Sequence, residues 1–123
     1  MLRIAGIAVF ASLLVGVHAG RVQAHARLTK SVPDAGATLA ASPMEIRLQF
    51  NEAIEARFSK IAIEAKGGTP IATESVSTDP ADKKVLVLKL KAPLRPGTYK
   101  VSWRVVSVDT HKINGSFAFQ VKS

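Results

Sequence analysis

The sequence predicts an all-β fold, an antiparallel sandwich or Greek-key barrel of about seven short strands. Three observations carry this reading. Apolar and polar residues alternate with period two over short stretches, the mark of a strand with one buried face. Pro, Gly, Asn and Asp separate those stretches at regular intervals. A 3.6-residue period is missing throughout, apart from one turn of helix suggested by NEAIEARFS (51–59).

In chain order, ARLTKSV (26–32) reads as the first strand and PDAG (33–36) as a turn. MEIRLQF (44–50) sets Ile46, Leu48 and Phe50 against Glu45, Arg47 and Gln49. KIAIEA (60–65) repeats the pattern, and KGG (66–68) reverses the chain. TPIATESV (69–76) is a weaker strand and STDPADK (77–83) a loop. KVLVLKL (84–90) is apolar on both faces, which places it inside a sheet. After the turn PLRPG (93–97) comes TYKVSWRVVSV (98–108), the longest strand. DTHKING (109–115) is a polar break in which Asn114-Gly115 favours a tight reversal. SFAFQV (116–121) closes the domain with Phe117, Phe119 and Val121 on one face.

The first 24 residues read as a secretory signal. Arg3 precedes the apolar run IAGIAVFASLLVGV (4–17), and Val22 and Ala24 occupy the small-residue positions before a cut after Ala24. An uncleaved anchor is disfavoured, because the run falls short of the roughly 20 residues that span a bilayer. The domain is then residues 25–123, expected to be exported, with no membrane insertion after cleavage. Of 17 Lys and Arg, Arg3 and Arg21 leave with the signal, so 15 face 9 Asp and Glu, a net charge of +6. The cations are scattered singly without interleaved aromatics, which argues against nucleic acid. Cysteine is absent. That excludes disulfides, a lipoprotein anchor and thiolate ligands.

Catalytic signatures are sparse: no Cys nucleophile, no Gly-x-Ser-x-Gly elbow and no phosphate-cradling glycine loop. The one constellation with chemical content is Asp109-Thr110-His111. In an extended segment, residues two apart project from the same face, so the acid and the imidazole can serve one metal ion. By itself D-x-H is a weak signal and reads more readily as a capped turn with a surface histidine. His25 adds weight to the metal reading. As a mature N-terminus it offers an α-amine and an imidazole nitrogen, which close a chelate ring. With His111 and Asp109 this makes three nitrogens and one oxygen, a set suited to one Cu(II), and less so to Ni(II) or Zn(II).

The mature chain resembles the CopC-type copper-resistance proteins. The resemblance is strongest in PLRPGTYKVSWRVVSVDTHKINGSFAFQVK (93–122), which fits the family pattern PGTYxVxWxxVSxDxHxxxGxxxFxV at every fixed position. HARLTKSVPDAGATL (25–39) is similar to the family's opening, and LQFNEAIE (48–55) to its LxFSExxE-like segment. The resemblance implies a cupredoxin-like or immunoglobulin-like Greek-key β-sandwich. It also implies a Cu(II) site formed by His25, Asp109 and His111, with Glu52 beside it, and Trp103 in the core. Some family members also hold Cu(I) on a methionine-rich loop. The matching stretch here, KIAIEAKGGTPIATES (60–75), has neither Met nor His, which implies a Cu(II)-only member.

Three function classes follow. The first is an exported, non-enzymatic Cu(II) carrier serving an inner-membrane copper transporter or another periplasmic carrier. The second is an oxidative enzyme using the same N-terminal histidine brace. The third is a metal-free interaction sandwich in which D-x-H is a turn.

Overall fold

The computed structural model describes residues 27–123. His25 and the expected signal segment fall outside them. Eight strands form two four-stranded sheets. They are β1 (Leu28–Val32), β2 (Thr38–Leu39), β3 (Glu45–Phe50), β4 (Lys60–Ala65), β5 (Ser77–Asp79), β6 (Asp82–Lys89), β7 (Gly97–Val106) and β8 (Lys112–Val121). One sheet has the order β1-β3-β6-β5 and the other β2-β8-β7-β4. The sheets pack face to face as a sandwich and do not close into a barrel. Among the described residues no helix is long and apolar enough to cross a membrane.

Alternation explains the packing. Ile46, Leu48 and Phe50 of β3 face Ile61 and Ile63 of β4, and Tyr99, Val101, Trp103 and Val105 of β7, in one buried cluster. Leu86, Leu88, Phe119 and Val121 complete its middle. β6 is interior to its sheet as its two apolar faces require, and Val85, Leu86, Val87 and Leu88 are all buried. The Tyr99 ring stacks on Phe119 at 5.7 Å, while its hydroxyl donates to the Arg95 carbonyl at 2.6 Å. That bond ties the PLRPG turn to the core and satisfies the polar end of a buried aromatic.

Three local expectations need correction. TPIATESV makes only isolated bridges, at Pro70 and Thr73, and the strand lies in the next segment as β5. The two-residue β2 adds a strand by pairing parallel to β8. Asn114-Gly115 is not a reversal: β8 runs straight through it, and the turn falls at residues 107–111. Gly115 faces Trp103 across the β7–β8 ladder, and a Cβ there would lie 2.4 Å from Trp103 Cζ2. The glycine admits the indole instead of turning the chain. The helical turn expected in NEAIEARFS is a single 3-10 turn, Ala56–Phe58.

Candidate metal centre

Three chain segments meet at one end of the sandwich: the exit of β3, the link from β7 to β8, and the entry to β1. Leaving β3, the chain is held against the end of β7. The Ile54–Ser107 bridge, the Glu55 amide on the Val106 carbonyl (2.9 Å) and the Val108 amide on the Ala53 carbonyl (2.9 Å) fix it there. Glu52 lies within this seam.

The β7–β8 link is organised by Ser107, only 1% exposed. Its amide donates to the His111 carbonyl at 2.9 Å, and its carbonyl accepts the Thr110 amide at 2.8 Å. Its hydroxyl accepts the His111 amide at 3.0 Å and donates to the Asp109 carboxylate. Thr110 takes a positive φ of 68°, unusual for a β-branched residue. Asp109 and His111 therefore do not project from one face of an extended strand. A tight turn folds them together, with Asp109 Oδ2 at 3.4 Å from His111 Nδ1.

Glu52 completes the cluster. Its Oε2 lies 3.8 Å from His111 Nδ1, beyond hydrogen-bond range, and this oxygen is buried with no hydrogen-bond partner among the described residues. Ligand atoms of Glu52, Asp109 and His111 all fall within 4.8 Å of one another. Donors each about 2 Å from one ion stand roughly 3–4 Å apart; the 3.4 and 3.8 Å separations of the two carboxylates from His111 Nδ1 fall in that range, and the full cluster is somewhat wider. A buried carboxylate oxygen without a donor is costly, and a cation would satisfy it.

Electrostatics prepare the acid for the same role. The hydrogen bond from Ser107 holds the Asp109 carboxyl below its ordinary value. Burial pushes the other way, and the neighbouring His111 adds to the lowering. The carboxylate form, the one a cation would need, is thereby favoured.

The chain enters β1 at the same pole. The Arg27 amide donates to Asn51 Oδ1 at 2.7 Å, and the Asn51 amide donates to the Arg27 carbonyl at 3.1 Å. Asn51 is the neighbour of Glu52 in sequence. Trp103 sits in the core, as its position in the alternation implies.

Comparison with known proteins adds the family. A family model for the CopC domain matches residues 28–122. The chain belongs to the CopC domain family. This CopC domain is 43% identical over 101 residues to Protein YobA of Escherichia coli K12, covering 82% of each chain. It is 41% identical to Copper resistance protein C of Pseudomonas syringae pv. tomato, covering 81% of this chain and 82% of that one. The crystal structure of PcoC, described as a methionine-rich copper resistance protein from Escherichia coli, superposes with a TM-score of 0.72 at 40% identity. That match covers 80% of this chain and all of the PcoC chain.

Of the residues expected at the site, the structure brings Asp109 and His111 together and places Glu52 with them. His25 lies outside the described residues. Ser107 carries the turn, a role not read from the sequence: a serine at a strand end is ordinary, and the signals that mark it are its fixed place in the VSxDxH pattern and its burial.

Proposed function

We propose that the protein is an exported carrier that binds one Cu(II) ion as cargo, through the α-amine and imidazole of His25 together with Asp109 and His111. The observation that carries this reading is the convergence of Glu52, Asp109 and His111 within 4.8 Å in a CopC domain. The reach of the N-terminus supports it. His25 is two residues upstream of Arg27, whose backbone is pinned to Asn51, and two extended residues span about 7 Å. Two imidazoles, an amine and a carboxylate suit the tetragonal preference of Cu(II). Glu52 flanks the ion and offsets its charge. With the four equatorial positions filled by protein, the ion is held as cargo for transfer to a membrane transporter or a second carrier.

Cu(I) carriage is not part of this proposal. Thioethers select Cu(I), and this sequence has only two methionines. Met1 lies in the expected signal, and Met44 lies just before β3, at the opposite end of that strand from Glu52.

The test compares two purified forms, the chain beginning at His25 and the same chain with one extra N-terminal residue. Mass spectrometry of the exported protein first establishes the natural N-terminus. The form beginning at His25 is expected to bind one Cu(II) with a nitrogen-rich electron paramagnetic resonance spectrum. The extended form should bind more weakly with an altered spectrum. Affinity of the processed form should fall as pH drops through the α-amine range of about 7.7–8.0 and below, because ligation displaces protons. Identical spectra and affinities for the two forms would falsify the amine chelate.

A further inference from the structure

The outer face of the β2-β8-β7-β4 sheet has an arrangement the metal site does not explain. Lys60, Ala62 and Glu64 of β4 point outward, alternating with buried Ile61 and Ile63. Lys100, Ser102 and Arg104 of β7 alternate with buried Tyr99, Val101, Trp103 and Val105. On β8, Lys112, Asn114, Ser116 and Ala118 are exposed. Register lines these residues up in rows across the strands. Lys60 stands opposite Arg104, and Arg104 opposite Asn114. The next row is Ala62, Ser102 and Ser116, and the one after it Glu64, Lys100 and Ala118. The middle row is a trough of small side chains between two taller rows, and it forms the floor of a concavity of about 590 Å³.

Charge marks the trough. Strands β4, β7 and β8 contribute Lys60, Lys100, Arg104 and Lys112 against one acid, Glu64. None of the four cations lies within 4.0 Å of a carboxylate among the described residues. On the opposite sheet, by contrast, Arg47 is paired with both Glu45 and Asp79. Like charges directly across a ladder are destabilising, and Lys60 opposite Arg104 is such a pair. A local rule broken without internal compensation is expected where an external group supplies it.

The trough continues past Arg104 and Asn114 into a second concavity of about 330 Å³, lined also by Phe58, Val106 and Lys112. Phe58 is 62% exposed, with the Arg57 guanidinium 5.0 Å from its ring centre. The shape is a shallow, open-ended channel, basic along its length, with one aromatic at its end. One exposed ring is too little apolar surface to enter a bilayer, because interfacial binding scales with buried apolar area. A passing chain fits better: its carboxylates meet Lys60, Arg104 and Lys100, and one apolar side chain meets Phe58.

We propose that this face is a docking surface for an acidic polypeptide segment of a partner protein. Docking requires no metal; only its use in handing over copper rests on the function proposed above. The surface lies on the strands that flank the Asp109–His111 turn, so a docked partner sits beside the metal pole.

The test uses the processed, metal-free protein and a short fluorescein-labelled peptide of alternating Glu and Leu, read by anisotropy. Saturable binding that weakens with salt is expected. The double variant Lys60→Gln, Arg104→Gln should weaken it about tenfold or more, whereas Lys83→Gln, Lys89→Gln on the other sheet should change it less than about twofold. Because the first pair removes a like-charge contact, its melting temperature should stay level or rise, which separates lost docking from lost folding. Equal losses for the two double variants would mean unspecific charge attraction and overturn the proposal. Binding to phosphatidylglycerol vesicles that depends on Lys60 and Arg104, with none to the peptide, would overturn it in favour of a lipid surface.

Discussion

Arg27 and Asn51 hold each other by two hydrogen bonds: the Arg27 amide donates to Asn51 Oδ1, and the Asn51 amide to the Arg27 carbonyl. The pair fixes where the chain enters β1, beside the segment that carries Glu52. If His25 completes the metal site, this clasp sets its position without touching the ion. Asn51→Ala keeps the backbone bond and deletes the other. We expect a stability loss of about 1 kcal/mol by urea titration. Cu(II) affinity should fall about tenfold or more, as for other groups that orient a ligand from behind. A competition titration with an independent chelator reads the affinity. An unchanged value would show that the N-terminus is not a ligand or is held by other contacts.

Ser107 is the corresponding device for the proposed ligands Asp109 and His111. Ser107→Ala leaves the strand pairing intact but removes the hydroxyl that accepts from the His111 amide and donates to Asp109. The part-buried His111 amide loses its acceptor, a cost of about 1 kcal/mol. The Asp109 carboxyl also loses the main cause of its lowered pKa, and the turn loses its brace. Weaker Cu(II) binding should accompany the lower stability. Destabilisation with full metal affinity would assign Ser107 to folding alone.

Part of the acid sensitivity should come from the far sheet. The hydrogen bond from Arg47 is the chief cause that lowers the Asp79 carboxyl below its ordinary 3.8, with help from the Ala81 amide, and Arg47 is raised in turn. A lowered acid contributes stability above its unfolded value and loses it as pH falls through the folded value. Asp79→Asn is therefore expected to be less stable than the parent at neutral pH, with the difference vanishing as pH drops below 3.8. Urea midpoints across that range check it. A difference that persists in strong acid would mean that the loss is one of packing.

Much of the fold was legible because alternation is a property of the strand itself. β3, β4 and β7 each bury every second residue, β8 half-buries or buries its alternate residues, and β6 shows in its two apolar faces that it lies inside a sheet. The misses are where long-range partners decide. Two residues cannot display a period, so β2 exists only through its parallel pairing with β8. At the site, Asp109 and His111 were expected on the strength of spacing and family pattern. Their juxtaposition nevertheless arises from a turn through Thr110, which no period encodes. Glu52 was readable as a neighbour only from the family resemblance. No local signal brings it from the end of β3 to a turn far along the chain.

Asn114-Gly115 was misread for a related reason, and the misreading yields a test. The dipeptide favours a reversal in isolation, but here the glycine's missing side chain is what matters. Trp103 Cζ2 and Cε2 would lie 2.4 and 2.7 Å from a Cβ at residue 115, and the indole is wedged further by Phe117 at 5.8 Å between ring centres. Gly115→Ala gains strand propensity yet forces the ring to move in a packed core, an overpacking that costs about 1–3 kcal/mol. Because Trp103 is the only tryptophan, emission reports the displacement directly. We expect lower stability with a red-shifted, more solvent-exposed spectrum. A chain that keeps its emission maximum and gains stability would show that the indole tolerates a side chain at 115 and does not explain the glycine.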